Sequence, residues 1–212
     1  MLTKYFQLVV YLLVVTCTSQ ARADQNVDFF RAINVDNARG VTELLAQGVD
    51  PNSRSEQGVS ALFLALREGS GKVVQALLAH PALRIDEPNA NNETPVMMAA
   101  LHGNLEATRQ LLDRGAKLNR PGWTPLHYAA CSPEPKLVAY LLDRGADIEA
   151  PSPNRTTPLM MAARYGAEDS SLLMLSRGAS TSARNDLGMD AAAFARLAAR
   201  EPLAQRLERA PR

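Results

Sequence analysis

The chain is poor in the residues on which catalytic and metal chemistry most often depends. It has two cysteines and three histidines in 212 residues. One cysteine, Cys17, lies in an N-terminal stretch that is expected to be removed. The other, Cys131, then has no second thiol with which to form an intrachain disulfide. His80, His102 and His127 fall in separate segments with no H-x-x-H or C-x-x-C spacing, so nothing points to a metal site. A glycine-rich phosphate loop and a G-x-S-x-G elbow are also missing, and no cofactor is expected. Aromatic residues make up 5% of the chain, with a single Trp, which excludes a core built on large rings. Neither sign of charge is in excess: 23 Lys+Arg face 22 Asp+Glu. A near-neutral chain lacks the electrostatic footprint of a nucleic-acid binder or of a protein held on an anionic membrane.

Long apolar runs are scarce as well. The one that stands out runs from Tyr5 to Val15, interrupted by Gln7. Lys4 precedes it and Ala21-Arg22-Ala23 follows. A charged start, a short apolar centre and an A-x-A site make a secretory signal peptide, and the run is too short for a membrane span of roughly 20 residues. The expectation is a leader over 1–23, cleaved after Ala23 and exporting the chain to the periplasm. No stable membrane insertion should remain, and 24–212 should form one domain. Lipid attachment at Cys17 is the lesser alternative, because Val14-Val15-Thr16 is a poor lipidation pattern. Loss of Lys4 and Arg22 takes the formal charge from +1 to about −1.

What the sequence does contain is itself, several times over. Ser60-Ala61-Leu62-Phe63-Leu64-Ala65, Thr94-Pro95-Val96-Met97-Met98-Ala99, Thr124-Pro125-Leu126-His127-Tyr128-Ala129 and Thr157-Pro158-Leu159-Met160-Met161-Ala162 align. A Leu-Leu or Met-Leu pair begins 17 residues after each Ser or Thr, at Leu77, Leu111, Leu141 and Met174. Leu44-Leu45 lies one further period upstream. Gly48, Gly115, Gly145 and Gly178 follow their pairs at a constant distance. The Thr or Ser suits a helix N-cap and the Pro a first helical turn. The glycine after the pair suits a left-handed helix end. Spacings of 34, 30 and 33 from Ser60 onward place a shortened loop before Trp123.

This pattern resembles the ankyrin repeat, whose period is about 33 and whose signature is T-P-L-H-x-A; Thr124 to Ala129 match the signature throughout. The resemblance implies an all-α repeat solenoid, a stack of helix-turn-helix units joined by hairpin-like finger loops. Repeats are expected over about 26–56, 57–90, 91–120, 121–153 and 154–186, with a C-terminal cap over 187–212. Phe29, Phe30, Ile33, Leu44 and Leu45 should face inward in the first repeat. Arg196, Arg200, Arg206 and Glu208 should give the cap its charged faces. A likeness to exported bacterial ankyrin proteins, some linked to oxidative-stress defence, further implies an envelope location and a part in stress protection.

Two readings compete over Gly122-Trp123-Thr124-Pro125-Leu126-His127-Tyr128-Ala129-Ala130-Cys131. His127 and Cys131 share a helix face and so resemble a base and a nucleophile, the arrangement of a thiol-based redox protein. The family resemblance instead makes His127 a scaffold residue, bonded near Thr124 and to backbone of the adjoining repeat. No third group orients the pair, so a non-enzymatic protein is expected. The Met97-Met98 and Met160-Met161 pairs read as flexible core filler.

In this family, partners are mostly proteins, held on a concave face by finger tips and the exposed side of the first helices. Carried over position by position, this selects Glu93 and Trp123, with Val59 and Thr156, before the signature residue. After the alanines it selects Arg67, Glu68, Leu101, His102, Cys131, Ser132, Arg164 and Tyr165. Trp, Tyr and Arg dominate binding energy at interfaces, which favours Trp123, Arg164 and Tyr165. The expected function is protein binding by a monomer, with no nucleic acid involved. Neutralisation of an envelope enzyme, as an inhibitor or immunity-type protein, is the alternative.

Overall fold

The computed structural model describes residues 24–210. The expected leader, its cleavage site and Cys17 lie outside the described residues. Helices account for the regular structure, and among the described residues the strand signal is a single isolated bridge between Arg54 and Ser60. The chain divides between Arg84 and Ile85 into two compact units.

The first unit holds α1 (24–34), α2 (Ala38–Ala46), α3 (Ala61–Arg67) and α4 (Gly71–Leu78). Phe29, Phe30 and Ile33 are buried as expected, whereas Leu44 and Leu45 are half-buried and Val41 is the buried residue of α2. Ser70 opens α4 without a capping bond of its own. The unpaired amide of Val73 instead donates to Asp36 Oδ1 at 3.0 Å, and Ser70 Oγ donates to the Ile33 carbonyl at 2.8 Å. A helix start that leaves backbone donors open is thus completed from the preceding repeat.

The second unit holds four helix pairs. These are α5 (Pro95–Leu101) with α6 (Leu105–Asp113), and α7 (Pro125–Cys131) with α8 (Pro135–Asp143). The others are α9 (Pro158–Tyr165) with α10 (Glu168–Ser176), and α11 (Ala191–Leu197) with α12 (Glu201–Arg209). The first helices pack side by side in the order α5, α7, α9, α11. Alanines at their contact faces, Ala99, Ala100, Ala129, Ala130, Ala162 and Ala163, are fully buried; their small side chains allow the close approach. Leu111, Leu141 and Met174 carry the buried side of the second helices.

The second helices α6, α8 and α10 end the same way. Gly115, Gly145 and Gly178 take positive φ, between 87° and 96°. The glycine amide returns to the second Leu of the pair, and the following Ala amide to the first member. This is a Schellman closure, and nothing crowds these glycines. Gly166 is different. Its φ is −90°, but a Cβ there would collide with the Ala130 carbonyl oxygen. It is glycine because α7 and the end of α9 touch, not because of its backbone angle.

Arg200 departs from its expected place on a charged surface. Its guanidinium donates to the carbonyls of Ala162, Ala163 and Gly166 at 3.3, 3.1 and 2.9 Å. The Ala162 carbonyl also accepts from the Gly166 amide, and those of Ala163 and Gly166 lie open at the end of α9, so the cap repeat closes its neighbour's helix. Arg196, Arg206 and Glu208 are exposed as expected. Other ties also run from one repeat to the next. Asn119 Nδ2 donates to the Gly145 carbonyl and its Oδ1 accepts from the Asp147 amide, both at 2.9 Å. On the outer surface, Arg144 pairs with Asp113 and Arg177 with Asp143, each at 2.7 Å.

Candidate functional site

The signature helices α5, α7 and α9 share the return leg of a capping box, of unusual composition. The return leg, from the third helical residue to the N-cap amide, normally ends on a Glu or Gln oxygen. Here the Thr94 and Thr157 amides donate to the Met97 and Met160 sulfurs, each at 3.4 Å. The Thr124 amide donates to His127 Nδ1 at 3.2 Å. Met97 and Met160 are therefore acceptors as well as filler.

His127 does more than its methionine counterparts. Its Nε2 lies 3.0 Å from the Thr156 carbonyl oxygen. A carbonyl can only accept, so the proton sits on Nε2 and Nδ1 is the acceptor. The Thr124 hydroxyl, 2.9 Å from Nδ1, gains a partner there. The equivalent Thr94 hydroxyl is buried with none among the described residues. Burial pushes the His127 pKa down to about 4, against the opposing pull of the Thr156 carbonyl. The ring is neutral with both nitrogens engaged.

That geometry decides the Cys131 question. The thiol donates to the His127 backbone carbonyl at 3.4 Å, not to the ring. Burial pushes its pKa up to about 11, so the reactive thiolate is scarce near neutrality. A base and nucleophile pair is not assembled.

Around this scaffold lies a depression of about 200 Å³ lined by Leu101, Trp123, His127, Tyr128, Cys131 and Met161. Trp123 stands edge-on against the His127 ring, centroids 5.1 Å apart at 78°. Its loop position follows from the shortened finger. The longer fingers close with one backbone bond, from the Asn89 and Ser152 amides to the Glu93 and Thr156 carbonyls, and one return bond from the Glu93 and Thr156 amides to the Asn89 and Ser152 side chains, whereas the loop from Leu118 to Trp123 has no such closure among the described residues. Tyr128 is fixed by its hydroxyl, which donates to Glu93 Oε1 at 2.8 Å. Burial, then Glu93, pushes that phenol's pKa upward.

The structure sorts the expected contact residues. Leu101 and Trp123 line the depression. Arg164 and Tyr165 follow on α9, with the guanidinium 4.9 Å from the Tyr165 ring centroid. His102 is exposed at the end of α5. Glu93 is engaged internally, by Tyr128 and by Asn89 at 2.8 Å, and acts as a brace between repeats. Ser132 is a correction: it is fully buried. Pro133 disfavours the helical region for the residue before it. Ser132 is accordingly extended, with ψ 151°, and its Oγ accepts from the Glu134 amide. Thr156 is buried too, while Arg67 and Glu68 lie in the first unit and pair with each other at 2.9 Å. The sequence reading missed Tyr128 and Met161 as surface residues. Both sit three residues before Cys131 and Arg164 on the same helix faces, so helical periodicity carried the signal. Met161 is half-buried at the depression, not core filler as expected; Met97, Met98 and Met160 are buried.

The family described as ankyrin repeats (3 copies) matches residues 29–121 and 117–185. Transient receptor potential cation channel subfamily A member 1 of Homo sapiens is 27% identical over 73% of this chain and 15% of its own length. Protein glp-1 of Caenorhabditis elegans is 27% identical over 81% of this chain and 14% of its own. A poly [ADP-ribose] polymerase tankyrase of the same organism is 43% identical over 31% of this chain and 3% of its own. The chain therefore corresponds to a small part of each of these relatives. Ankyrin repeats generally mediate contacts between proteins, and the repeat region itself is not catalytic. The repeated boxes, the glycine closures and this match over most of its length together show that the chain belongs to the ankyrin-repeat family.

Proposed function

We propose that the second unit binds a protein through the face made by its finger loops and first helices, with the depression at Trp123 as the main contact. The observation that carries this reading is the depression itself. Apolar side chains stand open to solvent around it, and its walls are fixed from behind by the bonds of His127 to Thr156 and of Tyr128 to Glu93. Rigid aromatic walls are what an interface anchor needs. We further propose that this activity lies in the bacterial envelope; Lys4, the apolar run to Val15 and Ala21-Arg22-Ala23 support export.

Crosslinked capture from the envelope, done in parallel with Trp123→Ala, tests the binding reading. Loss of specific partners in the variant supports it; equal recovery of the same partners overturns it. Mature protein beginning at Asp24 supports export, and retention of Met1 overturns it.

A further inference from the structure

The chemistry around the depression restricts what can occupy it. Its volume of about 200 Å³ suits a single large apolar side chain; an engineered cavity of about 150 Å³ holds a benzene. Three of the polar groups beside it already have partners and offer little to a polar guest. The His127 ring bonds Thr124 and Thr156, the Tyr128 hydroxyl bonds Glu93, and the Cys131 thiol bonds a backbone carbonyl.

The charges nearby are unequal in a second way. Glu93 has one oxygen on Tyr128 and the other on Asn89. Arg164 occupies on α9 the position that Cys131 occupies on α7. It rests over the Tyr165 ring and pairs with no carboxylate among the described residues. Arg155 is exposed in the finger whose Thr156 carbonyl holds His127, and it too has no acidic partner among them. Glu93 is satisfied, and Arg164 and Arg155 are open.

Resting on the binding reading above, we infer that the occupant is an acidic protein segment that places one phenylalanine- or leucine-sized side chain in the Trp123 depression and carboxylates on Arg164 and Arg155. Complementary charge selects partners and rejects those of like sign. A basic segment is refused by the two arginines, and a segment without the apolar anchor lacks the desolvated contact.

Trp123 is the sole tryptophan, so its emission reports directly on the depression in the full chain. Three capped five-residue peptides are titrated: phenylalanine flanked by two aspartates on each side, phenylalanine flanked by lysines, and alanine flanked by aspartates. The first should shift the emission saturably, and the other two should bind roughly tenfold more weakly or worse. Arg164→Glu should reverse the preference between the two phenylalanine peptides. Arg155→Glu, at an exposed loop tip, should weaken the acidic peptide in the same direction. Equal binding of acidic and basic peptides, a preference that survives Arg164→Glu, or no response to any peptide overturns the inference. If capture still depends on Trp123 in those cases, the binding reading stands and only the acidic partner falls.

Discussion

His127 Nε2 lies 3.0 Å from the carbonyl oxygen of Thr156, 29 residues away in the next repeat. The contact joins two consecutive repeats through one neutral ring. Because the folded pKa is held near 4 by burial, against about 6.5 when unfolded, the unfolded chain binds the proton more readily. The stability contributed by the neutral ring is intact above pH 6.5 and falls as pH drops toward 4. The loss reaches roughly 2–4 kcal/mol below that. Denaturant melts across this window, with His127→Met as the control, should show a steep slope in the parent and a flatter one in the variant. Identical slopes would remove His127 as the cause. At neutral pH the variant should be less stable by about 1–3 kcal/mol, because the Thr156 carbonyl and the Thr124 hydroxyl lose their ring partner.

The reverse exchange should help. Met160 lies 33 residues after His127 and already accepts from the Thr157 amide through sulfur. The Met189 carbonyl, one residue before Asp190, corresponds to that of Thr156. Met160→His should add a bond to it and raise stability by about 1 kcal/mol at pH 7. A loss of stability would show that the spacing between these repeats does not reproduce the His127 geometry.

Two glycines should respond differently to the same change. Gly145→Ala forces a side chain into positive φ in open space and should cost about 1 kcal/mol. Gly166→Ala instead drives a Cβ into the Ala130 carbonyl, which the packed helices can relieve only by separating. It should cost about 3 kcal/mol. Equal costs in chemical denaturation would contradict the two distinct reasons for glycine.

Arg200→Leu keeps the aliphatic bulk and removes the donor to three carbonyls at the end of α9. A loss of roughly 1.5–3 kcal/mol is expected, with faster amide exchange in α9 and α12. Arg206→Leu, which breaks an exposed pair with Glu168, should have a much smaller effect.

Thiol labelling of the native protein at pH 7.5 should be slow, since Cys131 is held protonated in a half-buried position. Labelling as fast as that of a free model thiol would show that the site opens readily.

The repeat, its period and its helix boundaries were legible because each rests on local chemistry. Proline after a Thr, glycine at a left-handed turn and leucine pairs at a fixed offset announce themselves in a single sequence. What escaped depends on side chains meeting across repeats. Arg200 looks like a surface cation until α9 presents its carbonyls, and Glu93 looks free until Tyr128 reaches it. Ser132 was misplaced although its cause, Pro133, is adjacent in sequence and disfavours a helical residue before it. Met161 was grouped with Met160 by composition, although neighbours on a helix point to different faces.

The Asp-Arg dipeptides at the ends of α6 and α8 have a further consequence. Asp113 receives Arg144, and Asp143, the neighbour of Arg144, receives Arg177. The Asp143-Arg144 dipeptide thus offers an anion to its successor and a cation to its predecessor. A duplicated repeat inserted in register would arrive with both surface partners already encoded, so the array can lengthen by simple copying without evolving a new charge pair.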